Sequence, residues 1–145
     1  HLGCHRRHAV ESDAEGIGTH MKRRKKPEPL ASALLLQKHA ARLGFDWDKT
    51  GDLWKKLAEE IGELKAVARQ PKKAEDELGD LLFMAVNLAR HLGVNAERAL
   101  HGANRKFSRR FAYILKYGDS LPPVGSKRRL DAMEKLWQQA KKRGL

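Results

Sequence analysis

Apolar residues recur at helical spacing in five separate stretches from Leu30 onward, and no stretch alternates as a strand would. The first helix is predicted to begin near Pro29, to carry Leu30, Leu34, Leu35 and His39, and to end at Gly44. His39 reads as a hydrogen-bonded or exposed residue rather than a ligand. The connector Phe45-Asp46-Trp47-Asp48 is expected to lay both aromatics on the core, with Asp48 or Thr50 capping the next helix. That second helix is predicted over about 50–70, with a stripe of Leu53, Leu57, Ile61, Leu64 and Ala68. A third follows Gln70-Pro71 over about 72–92, with Leu78, Leu81, Leu82, Ala85, Ala89 and Leu92. Asn95 is a cap for a fourth helix that stops at Gly118, its stripe being Leu100, Ala103, Phe107, Phe111 and Ile114. After the Leu121-Pro122-Pro123-Val124-Gly125 break, Ser126 caps a last helix bearing Leu130, Met133, Leu136 and Trp137. The fold class is therefore all-α, a helical bundle of about five helices.

The polar positions carry the chemistry. Glu59-Glu60-Ile61-Gly62-Glu63 and Glu77-Leu78-Gly79-Asp80 each hold acids spaced i, i+3, which share a helix face. With a proline between them, the two helices are predicted to run antiparallel, so that four carboxylates converge across one seam. Mutual repulsion opposes that arrangement unless a cation occupies it, and an all-oxygen ligand set points to magnesium. The bland reading is surface ion pairing, since Lys56 and Glu60, and Lys73 and Glu77, are both i, i+4. Asp80 favours the metal reading, because it precedes the apolar run Leu81-Leu82-Phe83-Met84-Ala85-Val86 and a carboxylate beside such a surface needs a partner. Gly62 and Gly79 interrupt helices at some cost and are expected to permit close backbone approach. On the fourth helix Lys106 and Arg110 emerge together on one edge, suited to gripping phosphate oxygens.

Composition narrows the picture. With 145 residues, 33% charged and 6% aromatic, one helical domain with solvated faces is expected. A net charge of +12 asks for a polyanionic partner: a nucleotide, a nucleic acid or an anionic surface. The single cysteine, Cys4, allows no internal disulfide and fits a reducing cytoplasm, and no apolar run is long enough to span a membrane. No Gly-x-x-x-x-Gly-Lys-Ser/Thr loop and no serine, histidine and acid combination stands out.

Residues 1–28 read as a disordered basic leader or a vector remnant, with His20-Met21 resembling a cloning junction, and residues 29–145 as the functional domain. Cys4, His5 and His8 match no standard zinc spacing. The basic run Lys22-Arg23-Arg24-Lys25-Lys26 reads as a solvated arm.

From about Leu30 onward the chain resembles the MazG-type nucleoside triphosphate pyrophosphohydrolases, most closely the C-terminal of their two tandem domains. The family pattern Glu-Glu-x-x-Glu, spacer, Glu-x-x-Asp stands here as Glu59 to Glu63 and Glu77 to Asp80. Further matches are Gly44-Phe45-Asp46-Trp47, Val86 to Gly93, Asn104 to Phe111, and Trp137-Gln138. The resemblance implies an oligomeric all-α fold that hydrolyses NTP or dNTP to the monophosphate and pyrophosphate with Mg²⁺, Mn²⁺ being a possible substitute. It implies that Glu60, Glu63, Glu77 and Asp80 hold the metal and that Glu59 orients or deprotonates the attacking water. Lys56, Lys73, Lys106 and Arg110 would hold the triphosphate, with Trp137 near the nucleotide. Two departures stand out: position 76 is Asp where the family commonly has Glu, and residues 1–50 hold no first-domain copy of the acid motif.

The leading expectation is a cytoplasmic pyrophosphohydrolase that cleans the nucleotide pool and self-associates as a homodimer or tetramer. The third helix is apolar nearly all round, and a chain this short offers too few helices to cover it. An alternative is a narrow relative acting on one dNTP or on phosphoribosyl-ATP. A non-enzymatic basic module that binds nucleic acid is the remaining one, and nucleic acid is not the expected partner.

Overall fold

A computed structural model describes residues 28–145. Cys4, His5, His8, His20-Met21 and the basic run Lys22–Lys26 lie outside the described residues. Five α-helices follow in order: α1 Pro29–Arg42, α2 Thr50–Ala66, α3 Pro71–His91, α4 Ala96–Leu115 and α5 Lys127–Lys142, with a short 3-10 turn at Gly118–Ser120. Among the described residues there is no strand. None of the described helices is long and apolar enough to cross a membrane.

The helix ends follow local chemistry. Pro29 and Pro71 stand in the first turns of α1 and α3, where a missing N–H costs nothing. Asn95 Oδ1 accepts from the Arg98 N–H at 2.8 Å, and Ser126 Oγ accepts from the Arg129 N–H at 3.2 Å, as the sequence predicts. Gly44 (φ 89°) closes α1 in the left-handed region, with the Phe45 N–H bonded to the Ala40 carbonyl. Gly93 (φ 70°) does the same for α3, through Val94 and Ala89.

Other boundaries differ from expectation. Lys49, not Asp48 or Thr50, is the α2 N-cap position, and it makes no side-chain cap bond. Helix α2 stops at Ala66, so Ala68 lies in the turn that leads to α3. Helix α4 gives way at Leu115, because Gly118 opens the 3-10 turn instead.

The described residues fall into two units, 28–48 and 49–145. In the first, α1 buries Gln37, leaves His39 exposed and half-buries Leu30 and Leu34. Trp47 is half-buried, whereas Phe45 is 84% exposed, so only one aromatic of the connector is sheltered. In the second unit α2 packs on α3, α4 packs on α5, and α3 touches α4. This makes two helical hairpins joined at one seam. The buried apolar residues described are few: Leu53 and Val86 in the first hairpin, Tyr113, Ile114 and Ala140 in the second.

The predicted stripes are only partly covered. Leu57, Leu64, Leu81 and Ala89 are half-buried, while Ile61, Leu78, Leu82 and Leu92 are exposed. Phe107, Leu100 and Leu130 are likewise exposed. The periodicity was right, but each helix here has one or two neighbours, and two hairpins cannot surround an apolar helix.

Candidate active site

The α2–α3 hairpin brings one oxygen from each of Glu60, Glu77 and Asp80 to within 4.8 Å of one another. The i, i+3 spacing sets Glu77 and Asp80 on one face of α3, and packing against α2 turns Glu60 toward them. Burial falls differently from expectation. Glu60 is 7% exposed, Glu77 is half-buried and Asp80 is exposed, so Glu60 is the sheltered carboxylate and Asp80 lies at the solvent side. Glu63, one turn beyond Glu60, is exposed and falls outside the triplet.

Two oxygens in this cluster are anomalous. Glu60 Oε2 and Glu77 Oε2 are buried, and neither meets a hydrogen-bond donor. A buried carboxylate oxygen without a donor is costly, and only a cation or a proton relieves it. Burial, followed by the charges of Glu63, Asp80, Glu60 and Asp76, pushes the Glu77 carboxyl above the usual range. A protonated carboxyl is the metal-free answer to that crowding, and a divalent ion the alternative. The donors are all carboxylate oxygens, which suits a hard cation of the Mg²⁺ type and excludes a thiolate or imidazole site. The residues present therefore fit a metal.

Lys56 supplies the only positive charge that an ion pair brings to this cluster among the described residues. Its ammonium lies 3.5 Å from Glu60 Oε1 and 3.6 Å from Glu59 Oε2. Glu60 above all, then Glu59 and Glu63, holds the Lys56 pKa above that of a free lysine against the opposing effect of burial. The i, i+4 alternative thus holds for Lys56 and Glu60 but not for Lys73 and Glu77, which form no ion pair. Glu59 is directed to Lys56 and stays more than half exposed.

Gly62 and Gly79 do not serve close packing inside this chain. A Cβ added at either would meet no atom within 4 Å. The expectation of close backbone approach is corrected: both glycines face open space.

The remaining candidates sit on the other hairpin. The Arg110 guanidinium lies 5.2 Å from the Trp137 ring centroid, and its Nε donates to the Leu145 carbonyl at 2.9 Å. Trp137 also leans on Phe107, with centroids 5.5 Å apart, and Phe107 stacks on Phe111 at 5.7 Å. Arg110 and Trp137 therefore form one cluster across α4 and α5, while Lys106 is exposed. Among the described residues no ion pair joins Lys106 or Arg110 to an acid.

Asn87, to which the sequence reading assigned no role, is buried on α3, and its Oδ1 accepts from Arg90 Nη2 at 2.7 Å. It lies seven residues beyond Asp80, close to the same face at ~100° per residue. A polar residue inside an apolar run was the available signal.

The helices and the carboxylate triplet across the α2–α3 seam define an all-α protein with an acidic cluster of the kind that can hold a metal ion. Residues 50–114 match the MazG nucleotide pyrophosphohydrolase domain, and the chain belongs to that family. It is 45% identical over 119 residues to the nucleoside triphosphate pyrophosphohydrolase of Escherichia coli, covering 78% of this chain and 44% of that protein. It is 38% identical over 112 residues to the nucleoside triphosphate pyrophosphohydrolase/pyrophosphatase MazG of Thermotoga maritima, covering 77% and 44%. A 65-residue stretch is 42% identical to the Bacillus subtilis protein YabN, covering 45% of this chain and 13% of that one. The chain thus spans less than half the length of these curated relatives.

Proposed function

We propose that this chain hydrolyses nucleoside triphosphates, ribo or deoxy, to the monophosphate and pyrophosphate, using Mg²⁺ or Mn²⁺. The observation that carries the reading is the pair of buried, donorless oxygens on Glu60 and Glu77, beside Asp80. The names of the Escherichia coli and Thermotoga maritima relatives support it.

Glu60, Glu77 and Asp80 would hold the ion, with Glu63 joining from the next turn of α2. A divalent ion there supplies charge neutralisation for phosphate oxygens and acidifies water. The chain's own residues do the rest. Glu59, solvent-accessible and beside Glu60, orients the attacking water and takes its proton as the α–β anhydride breaks and pyrophosphate leaves. Lys56, Lys73, Lys106 and Arg110 neutralise the triphosphate, which carries about four negative charges. Trp137 lies near the nucleotide, already braced by Arg110 and Phe107.

The working domain is residues 29–145, acting in the cytoplasm on the nucleotide pool and as a homodimer or higher oligomer. Support for self-association is the apolar surface of the first hairpin, where Ile61, Leu78 and Leu82 are exposed. The decisive experiment incubates the protein with a panel of NTPs and dNTPs, with and without Mg²⁺, and identifies products by anion exchange. Monophosphate with pyrophosphate is expected. Diphosphate with orthophosphate, or turnover undiminished by a chelator, overturns the reading.

A further inference from the structure

Charge is divided unequally between the two hairpins. Residues 49–91 hold eight Lys or Arg and eight Asp or Glu, whereas residues 96–145 hold thirteen and four. The excess positive charge of this unit therefore rides on α4 and α5.

On α4 that charge is ordered. At ~100° per residue Arg98, Arg105 and Arg109 of α4, with Lys116 at its C-cap in helical backbone conformation, fall within about 20° of one line along the helix. The line runs 18 residues, about 27 Å at the α-helical rise. All four side chains are exposed, and none has an acid within ion-pair distance among the described residues. Glu97, the helix's one acid, is turned to His101 instead, 3.9 Å away. Only small residues, Gly102 and Ala112, stand on the line between the cations. Lys106 and Arg110 project roughly 80° to 120° around the helix from it, so the row is separate from the proposed phosphate grip.

We propose that this face of α4 binds the phosphate backbone of a nucleic acid. Four unpaired cations in register over that length match an extended polyanion with regularly spaced charge, and a single nucleotide is too short to meet them all. Guanidinium groups suit phosphate oxygens because they donate bidentately. An anionic membrane is the poorer partner, since Gly102 and Ala112 provide no large apolar side chain to insert between headgroups. A two-fold contact with a second copy through this face would set like charge on like, so self-association leaves it free. Backbone contacts of this kind carry no sequence preference.

The test is fluorescence anisotropy of the full chain with labelled DNA of about 20 nucleotides, single-stranded and duplex, in chelator, between about 50 and 200 mM salt. Four phosphate contacts predict that log K against log salt for the duplex includes about −3.6 from this face. Across that range affinity falls more than about a hundredfold on its account. The combined Arg98→Gln, Arg105→Gln, Arg109→Gln and Lys116→Gln variant, folded by circular dichroism, loses that part of the slope. Should the quadruple variant unfold, each single variant is expected to lower the slope by about 0.9. Lys106→Ala with Arg110→Ala keeps it, and the absence of metal makes the result independent of hydrolysis. The proposal is overturned if none of the α4 variants changes the slope or if only neutralising Lys22–Lys26 abolishes binding. Loss of binding in the Lys106 and Arg110 variant, or binding to phosphatidylserine vesicles but not to DNA, overturns it equally.

Discussion

Lys56 Nζ lies 3.5 Å from Glu60 Oε1, while the other oxygen of the same carboxylate, Oε2, is buried without a donor. One glutamate thus has one oxygen balanced by a cation of its own helix and the other buried without a balancing donor. One oxygen of the same carboxylate lies within 4.8 Å of an oxygen of Glu77 and of Asp80. Lys56 offsets part of the seam's negative charge, and the remainder calls for a second cation.

Glu60→Gln and Glu77→Gln keep the side-chain shape and remove the charge. Turnover is expected to fall by more than about 100-fold, beyond the loss typical of a residue that only orients a ligand. In Mg²⁺ the wild-type thermal midpoint should rise, and in the variants it should not. Without metal Glu77→Gln should be at least as stable as the wild type, because the crowded charge is gone. Differential scanning fluorimetry with and without Mg²⁺ checks this, and a wild-type midpoint indifferent to divalent ions sinks the site.

Lys106 and Arg110 separate by what else they touch. Lys106→Ala removes an exposed charge and should cost kcat/KM about tenfold to a hundredfold, the range of a charge-assisted hydrogen bond, with stability unchanged. Arg110→Ala also removes the stack on Trp137 and the bond to the Leu145 carbonyl, so its thermal midpoint should drop as well. Arg110→Lys restores charge but not the planar stack, and is expected to recover only part of both. Steady-state kinetics beside thermal melts distinguish the two positions, and identical behaviour would refute the assignment.

Tyr113 gives a pH signature remote from the acids. Burial first, then its hydrogen bond with Tyr117, holds its phenol above the ordinary tyrosine range near 10, against the opposing pull of Arg143. A raised folded pKa means the contribution to stability is complete below the unfolded value and is lost as pH rises through the folded one. Alkaline titration of tyrosinate absorbance should show a group that ionises above the ordinary tyrosine range, and Tyr113→Phe should remove it. A Tyr113→Phe variant whose alkaline titration matches the wild type above that range contradicts this.

Self-association should depend on the exposed face of α3. Leu78→Lys with Leu82→Lys places charge where apolar side chains are 46% and 55% exposed in the single chain. In a monomer such exposed changes cost little, whereas in an oligomer they break the interface. Light scattering of the wild type should exceed the 16.4 kDa of one chain, and the double variant should approach it. A monomeric wild type defeats the prediction.

Much of the secondary structure is local and was legible in the chain itself. Helical spacing of leucines, Pro29 and Pro71 at first turns, the Asn95 and Ser126 caps and the Gly44 stop are settled within one turn of backbone, so five helices and the paired acids could be read directly. The MazG resemblance of the acid pattern is likewise a property of order and spacing, and the family match bears it out.

What each residue meets is not local, and there only tertiary structure decided. Spacing treats Glu60 and Asp80 alike, yet Glu60 is buried and Asp80 exposed, because α2 turns Glu60 into the seam while Asp80 lies at its open side. Lys56 with Glu60 and Lys73 with Glu77 have the same separation, but only the first forms an ion pair. The sequence showed that α3 carries more apolar surface than a short chain can cover, and the two-hairpin arrangement decides that Leu78 and Leu82 are the residues left exposed, beside the open Gly79. Periodicity specifies which side of a helix is apolar; what covers that side depends on neighbours distant in sequence, or on another molecule.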